Sequence, residues 1–321
     1  MTDSSAIARS NLTGAICALI AALSFSLNDV GIKFLSDQYA LHQVVLARSV
    51  VGLAVFLIII MPLSGGWAKV VRTRRPGWHM LRGLCVVLAN TSLFLGLAAL
   101  EIADAVAIFF VSPLLISLMS ILFLGERVGY RRWAAIAVGF LGVMVIIQPG
   151  ASAFQVASLL PIAAAFLYGV MHIVARRIGG TESAATMTFY ILVTFIVVSS
   201  AVGLAVGDGR YAGQGHPSLE FLLRAWRPVD WADVPILVML GISGVMGGFL
   251  ISQAYRLSEA AFAAPFEYVS MPMAIMWGVT VFGTFPDRSA WIGIALVLGS
   301  GLYLIWRETV KGRAQGREVR R

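Results

Sequence analysis

Leu100-Glu101-Ile102-Ala103-Asp104-Ala105 opens an apolar run that passes Val111-Ser112-Pro113, closes at Phe123-Leu124-Gly125 and reaches Trp133 after a polar turn. Sliding along by 158 positions, the separation of Glu259 from Glu101, finds much of it again. Glu259, Ala261, Ala263, Val269-Ser270, Gly283 and Trp291 stand on Glu101, Ala103, Ala105, Val111-Ser112, Gly125 and Trp133, while Pro272 and Phe282 sit one place from register with Pro113 and Phe123. Isolated matches between two apolar segments come cheaply because the alphabet there is small. Ordered matches that keep both helix-ending glycines and both tryptophans mark one unit used twice.

Composition says where that unit lives. With 59% hydrophobic and 12% charged residues, the 321-residue chain lies far outside the range of a soluble surface, and its apolar residues come in long blocks. A hydrocarbon core of about 30 Å takes about 20 helical residues to cross, and each block has that length. The formal net charge of +8 gathers in short loops and in the tail Arg307, Lys311, Arg313, Arg317, Arg320 and Arg321. That is the pattern of cytoplasmic anchoring rather than of a nucleic-acid footprint, so no nucleic-acid partner is expected. Cys17 and Cys85 both fall inside apolar spans and read as packing residues, not as a disulfide framework or a metal site. The polar start, Met1 to Asn11, leads into an apolar block with no A-x-A signature, so no removable signal peptide is expected.

Charges, Gly/Pro and polar turns bound ten spans, roughly 13–35, 42–62, 79–99, 103–124, 131–148, 156–176, 185–206, 233–254, 260–283 and 290–306. Five precede Gly150 and five follow, so the second set must enter the membrane in the opposite sense. The expected fold is an all-α integral membrane protein: two inverted five-helix repeats, 13–149 and 150–306, around a central cavity. Residues 1–12 form a cytoplasmic N-terminus and 307–321 a basic cytoplasmic tail. Lys69, Arg72, Arg74, Arg75, Arg127, Arg131, Arg132, Arg176, Arg177, Arg256 and the tail then all lie inside, leaving only Arg210, Arg224, Arg227 and Arg288 outside. An insertion at about 207–231, with the apolar patch Phe221-Leu222-Leu223, reads either as a surface helix or as a lid over an entrance.

A charge near the bilayer centre costs at least about 2.5–3.5 kcal/mol, so each must be paired, snorkelling or facing water. Span one carries Asn28, Asp29 and Lys33, the last two a helical turn apart and able to neutralise each other. Arg48 in span two either snorkels outward or offers its planar fork to a carboxylate or phosphate. Glu267, in Pro265-Phe266-Glu267-Tyr268, lies deep in span nine; it either carries a proton during transport or pins the halves together through Arg48 or Lys33. His172 in span six titrates near neutrality or makes one interhelical hydrogen bond, and Asn90 and Gln253 are further polar candidates.

Pro113, Pro265 and Pro272 interrupt spans four and nine at related places. Paired interruptions point to a binding site between inverted repeats. Phe109, Phe110, Tyr168, Tyr255, Phe266, Tyr268 and Trp277 lie around them, either as core packing or as aromatic walls for a small organic solute with a ring or apolar portion.

The ten-span plan, the doubled unit, Gly125-Glu126-Arg127 at the end of span four, and Gln253-Ala254-Tyr255-Arg256-Leu257-Ser258-Glu259-Ala260 running into Ala264-Pro265-Phe266-Glu267-Tyr268 resemble the EamA family of the drug/metabolite transporter superfamily. The resemblance covers nearly the whole chain. It implies two inverted five-helix repeats around a cavity and transport across the bacterial inner membrane; relatives in that family move amino acids and their derivatives, riboflavin or S-adenosylmethionine. The chain departs from the family where span nine ends in Gly283-Thr284-Phe285-Pro286-Asp287, without the glutamate present in Gly125-Glu126-Arg127.

The expectation is a secondary transporter of a small metabolite such as an amino acid, with riboflavin and S-adenosylmethionine as alternatives, with proton or ion coupling, and with pairing to a second copy left open. Nothing resembles a P-loop, and no cofactor or metal is expected. An intramembrane enzyme would need clustered ligands or a nucleophile with its base, whereas His42, His79, His172 and His216 are scattered. A receptor or scaffold would usually carry a soluble output domain.

Overall fold

The computed structural model describes residues 3–124, 129–149, 155–178, 182–257 and 266–318. Within hydrocarbon every backbone donor and acceptor must be satisfied inside its own segment, and the regular structure of the described residues is accordingly helical. The long helices are α1 (Asp3–Leu35), α2 (Leu41–Val55), α3 (Pro76–Ala99), α4 (Ile102–Phe109), α5 (Ser112–Leu124), α6 (Tyr130–Ile147), α7 (Leu159–Ile178), α8 (Ala184–Val206), α9 (Val234–Leu257), α10 (Ser270–Phe282) and α11 (Arg288–Glu318). Among the described residues, six segments are long and apolar enough to cross a bilayer: Leu12–Leu35, Leu41–Leu63, Pro76–Ala99, Ala184–Val206, Val234–Ala254 and Arg288–Arg307. Ile102–Ile116, Trp133–Ile147, Val156–Met171 and Ser270–Phe282 are shorter apolar helices, and each falls on a span drawn from the sequence. This is a multi-pass membrane protein.

Two departures from straight helix have local causes. Pro62 lacks an amide hydrogen and its ring presses on the turn before it; α2 widens there into a π turn, Phe56–Ile60, with the Met61 amide reaching back to Phe56 O. Span four breaks at Phe110–Val111, between α4 and α5, and the chain turns again at Tyr268–Val269 ahead of α10, 158 places on. The prolines do not kink these helices from within. Pro113 and Pro272 sit in the first turns of α5 and α10, where an amide has no intrahelical acceptor and a proline costs little. Pro265 lies outside the described residues.

Lipid tails are as apolar as leucine, so these helices associate by close approach rather than by the hydrophobic effect. α1 lies along α9, α3 along α7 and α6 along α11; α2 packs on α8 and α9, α3 on α8, α10 on α4 and α1, and α4 and α5 on α7. Gly142 and Gly293 mark the α6–α11 seam: a Cβ on Gly142 would stand 2.9 Å from Gly293 O, and one on Gly293 2.7 Å from Gly142 O.

The insertion is a strap. Its short helix, Pro217–Leu223, packs on α3 with Phe221 fully buried. Ser218 Oγ donates to Leu95 O at 2.7 Å, Arg224 Nη1 donates to Ser36 O at 2.9 Å, and the Trp226 amide closes on Gly207 O at 2.9 Å.

Candidate functional site

Two groups of side chains that the bilayer should exclude lie inside the bundle. The first centres on Arg48 of α2, which is 7% exposed. Its Nη1 donates to Asn28 Oδ1 at 2.8 Å, and Asn28 is aimed by α9, donating its own amide hydrogens to Leu240 O at 2.9 Å and Ser243 Oγ at 3.1 Å. The guanidinium carbon stands 5.0 Å from the ring centroids of both Phe94 on α3 and Phe195 on α8. Two aromatic faces thus supply part of the stabilisation that water would otherwise give the cation. Asp29 is the acid whose field acts on Arg48. The Arg48 Nε is buried without a hydrogen-bond partner. Arg48 is interior and does not snorkel.

Lys33 goes elsewhere. Its Nζ donates to Leu97 O at 2.7 Å and Leu100 O at 2.5 Å, capping the carbonyl end of α3, where a cation complements the helix dipole. The ion pair expected between Asp29 and Lys33 is therefore replaced by a cap, because the carbonyls at a helix end compete for an ammonium that can reach them. The acids acting on Lys33 are Asp37 and Glu101.

The second group gathers at the two interruptions. The ring of Phe109 meets that of Tyr168 on α7 edge-on at 5.3 Å, Phe110 stacks on Tyr268 at 4.9 Å, and Phe109 and Phe110 touch edge-on at 6.4 Å. Aromatics drawn from spans four, six and nine thus form one cluster. Glu267 acts electrostatically on both Tyr168 and Tyr268, and Arg82 acts on Tyr168. Trp277 Nε1 donates to Ser26 Oγ at 2.9 Å, tying α10 to α1.

Of the remaining sequence candidates, Asn90 Nδ2 donates to Val86 O of its own helix at 3.0 Å, and Gln253 is half-buried on α9. The side chains of His172 and Tyr255 lie outside the described residues. Among the described residues no three His, Cys, Asp or Glu side chains converge in a way that could hold a metal ion. Sequence reasoning missed Arg82, although a signal existed: it is a charge inside the apolar span 79–99. It is 7% exposed, with Nη1 3.4 Å from Met187 O and Nε unpartnered. Phe94, Phe195 and Ser243 carry no local mark that separates them from other core residues.

The model for the EamA-like transporter family matches residues 12–148. A riboflavin transporter of Rhizobium johnstonii is 30% identical over 302 residues, 94% of this chain and 94% of the relative. A riboflavin transporter of Vibrio cholerae is 30% identical over 311 residues, covering 95% of this chain and 96% of its own. An S-adenosylmethionine uptake transporter of Rickettsia conorii is 26% identical over 298 residues, 92% of this chain and 94% of the relative. A protein of known crystal structure aligns with a TM-score of 0.61 over 92% of this chain and 98% of its own, at 20% identity, a likeness of fold.

Proposed function

This chain belongs to the EamA-like transporter family of the drug/metabolite transporter superfamily and is a transporter of small metabolites rather than an enzyme, and from that premise we propose that it carries a planar heteroaromatic metabolite, riboflavin first, across the bacterial inner membrane. Two inverted five-helix repeats, 13–149 and 150–306, alternate access to a site between them, with both termini cytoplasmic. The observation that carries this reading is the aromatic cluster of Phe109, Phe110, Tyr168 and Tyr268 at the two helix interruptions, with Glu267 next to Tyr268 in sequence and its charge acting on both tyrosines.

The packing pattern supports the repeat. Exchanging each helix with its counterpart in the other half turns α1 on α9 into α7 on α3, α2 on α9 into α8 on α3, and α4 and α5 on α7 into α10 on α1. The pairs α2 on α8, α6 on α11 and α4 on α10 map onto themselves. A pseudo-two-fold axis in the membrane plane has this consequence.

The chemistry follows from the side chains. Phe110 and Tyr268 use their faces on each other, while Phe109 and Tyr168, half-buried and meeting edge-on, are the rings on which a tricyclic or purine ring would stack. The unpartnered Nε–H of Arg48 is a donor that would suit a ring-nitrogen, carbonyl or carboxylate acceptor. Glu267 is the acid that exchanges a proton or neutralises a cationic solute. S-adenosylmethionine is a second reading, favoured by Asp29 and Glu267 standing near the rings and Arg48: it joins a sulfonium, a carboxylate and a purine in one molecule.

Purified protein in proteoliposomes with an imposed pH gradient tests the proposal. Labelled riboflavin should accumulate, and unlabelled S-adenosylmethionine should compete only under the second reading. A thermal-shift screen against flavins, nucleosides and amino acids gives an independent answer, since a bound solute raises apparent stability by mass action. Stabilisation by amino acids alone would overturn the ring-bearing substrate.

A further inference from the structure

A groove of about 320 Å³ runs along the outer seam of α6 and α11, away from the buried cluster. Its floor is Ala134, Ala135, Val138, Gly299 and Ser300. The one hydroxyl on that floor is already occupied, since Ser300 Oγ donates to Val297 O at 3.0 Å, so the surface offered is hydrocarbon. At one end the groove opens between Tyr130 and Tyr303, where Trp133 and Trp306 are also exposed. Tyrosine and tryptophan collect at headgroup level in bilayers, which places this end at an interface. Arg131 is held there, its Nε donating to Tyr130 Oη at 3.1 Å and its guanidinium 5.6 Å over the Tyr130 ring. Arg307, one helical turn beyond Tyr303, reaches across to α6: its Nη2 lies 3.4 Å from where a Cβ on Gly129 would stand.

We infer that this groove is a binding site for an anionic phospholipid, one acyl chain on the small-residue floor and the phosphate between Arg131 and Arg307. Phosphate suits guanidinium forks, and hydrocarbon suits a floor with no free polar atom. Charge decides between this occupant and a second copy of the chain: a symmetric dimer on this face would bring two sets of Arg131 and Arg307 together, whereas an anionic headgroup neutralises them. The sequence beyond Arg307 adds Lys311, Arg313 and Arg317.

The test is a titration of the delipidated full-length protein in detergent with phosphatidylglycerol, phosphatidylcholine or soluble glycerol phosphate, read by native mass spectrometry and thermal shift. Two variants leave the transport residues untouched. Gly299→Leu fills the floor, where an added Cβ meets nothing within 4 Å and the fold is spared. Arg131→Gln with Arg307→Gln removes the rim charge. Phosphatidylglycerol should bind saturably to the parent and stabilise it, and the double arginine variant should bind about 25-fold more weakly, about five-fold per arginine. Gly299→Leu should lose the retained lipid. Equal retention of phosphatidylcholine, unchanged phosphatidylglycerol affinity in the arginine variant, or glycerol phosphate giving the full stabilisation would overturn the site. So would disulfide cross-linking of Tyr130→Cys between two copies, abolished by Gly299→Leu, which would assign the groove to a dimer.

Discussion

Replacing Arg48 by methionine separates a structural pin from a recognition group, because the structural terms nearly cancel. The substitution removes one interhelical hydrogen bond, Nη1 to Asn28 Oδ1 at 2.8 Å, worth about 0.6 and at most about 1.7 kcal/mol in a membrane. It also removes two cation–π contacts at 5.0 Å, worth about 0.5–2 kcal/mol each. Against that total of about 1.6–5.7 kcal/mol stands the relief of a cation held inside a bilayer-spanning bundle, at least about 2.5–3.5 kcal/mol. The balance runs from about −2 to about +3 kcal/mol, which at about 2.1 cal/mol/K of unfolding entropy per residue moves the melting temperature of a chain this long by no more than about 5 °C. Recognition has no such compensation. Losing a fork that donates to a substrate acceptor costs about 1.5–3 kcal/mol, or about 10- to 150-fold in KM at 1.4 kcal/mol per decade. Arg48→Lys, which keeps the charge without the planar edge, should fall between. Concentration-dependent uptake into proteoliposomes, paired with a thermal melt of the same preparation, checks both numbers. An unchanged KM in Arg48→Met protein whose melting temperature has dropped by more than about 10 °C would refute the recognition role and leave Arg48 a pin between helices.

Three further outcomes are expected. Glu267→Gln should transport with a flattened pH profile, because an amide cannot exchange a proton; full uptake with the parent's pH dependence in vesicles would remove Glu267 from coupling. Gly301→Ala should lower both stability and transport, since the new methyl lands on Tyr268 Oη and the Tyr268 ring is buried against Phe110; overpacking of this kind costs about 1–3 kcal/mol, and an unchanged melt would show that the ring yields freely. Asp287 lies outside the spans and caps α11, accepting from the Ser289 hydroxyl at 2.6 Å and the Ala290 amide at 2.7 Å, which hold its carboxyl below the usual range. A depressed carboxyl stabilises above its unfolded pKa of about 4 and loses that contribution as pH falls through the folded value. Asp287→Ala should therefore melt lower by a cap's worth, about 1 kcal/mol, at pH 7, with the gap to the parent closing towards pH 3; a gap independent of pH would contradict the ionised cap.

Phe109, Phe110 and Tyr268 of the aromatic cluster were legible because the doubled unit carries them, whereas Tyr168 lies in span six, outside both copies. Phe110-Val111-Ser112 and Tyr268-Val269-Ser270 occupy equivalent places, and a break in a membrane helix at one predicts a break at the other. Arg48 was visible as a misplaced charge, but its setting was not. Asn28, Phe94, Phe195, Leu240 and Ser243 surround it from four other helices, and no periodicity within α2 selects them.

Composition and block length alone determined that the chain crosses a bilayer as helices, because hydrocarbon leaves each backbone group only its own segment to bond with, a local requirement that local sequence answers. Which buried charge meets which partner was decided only on assembly. Lys33 stands one turn from Asp29 yet caps α3 some 64 residues away, and Arg48 reads an amide held by a helix more than 200 residues from its own holder. Helix rotation and close packing set those distances, and they are properties of neighbours rather than of any single stretch.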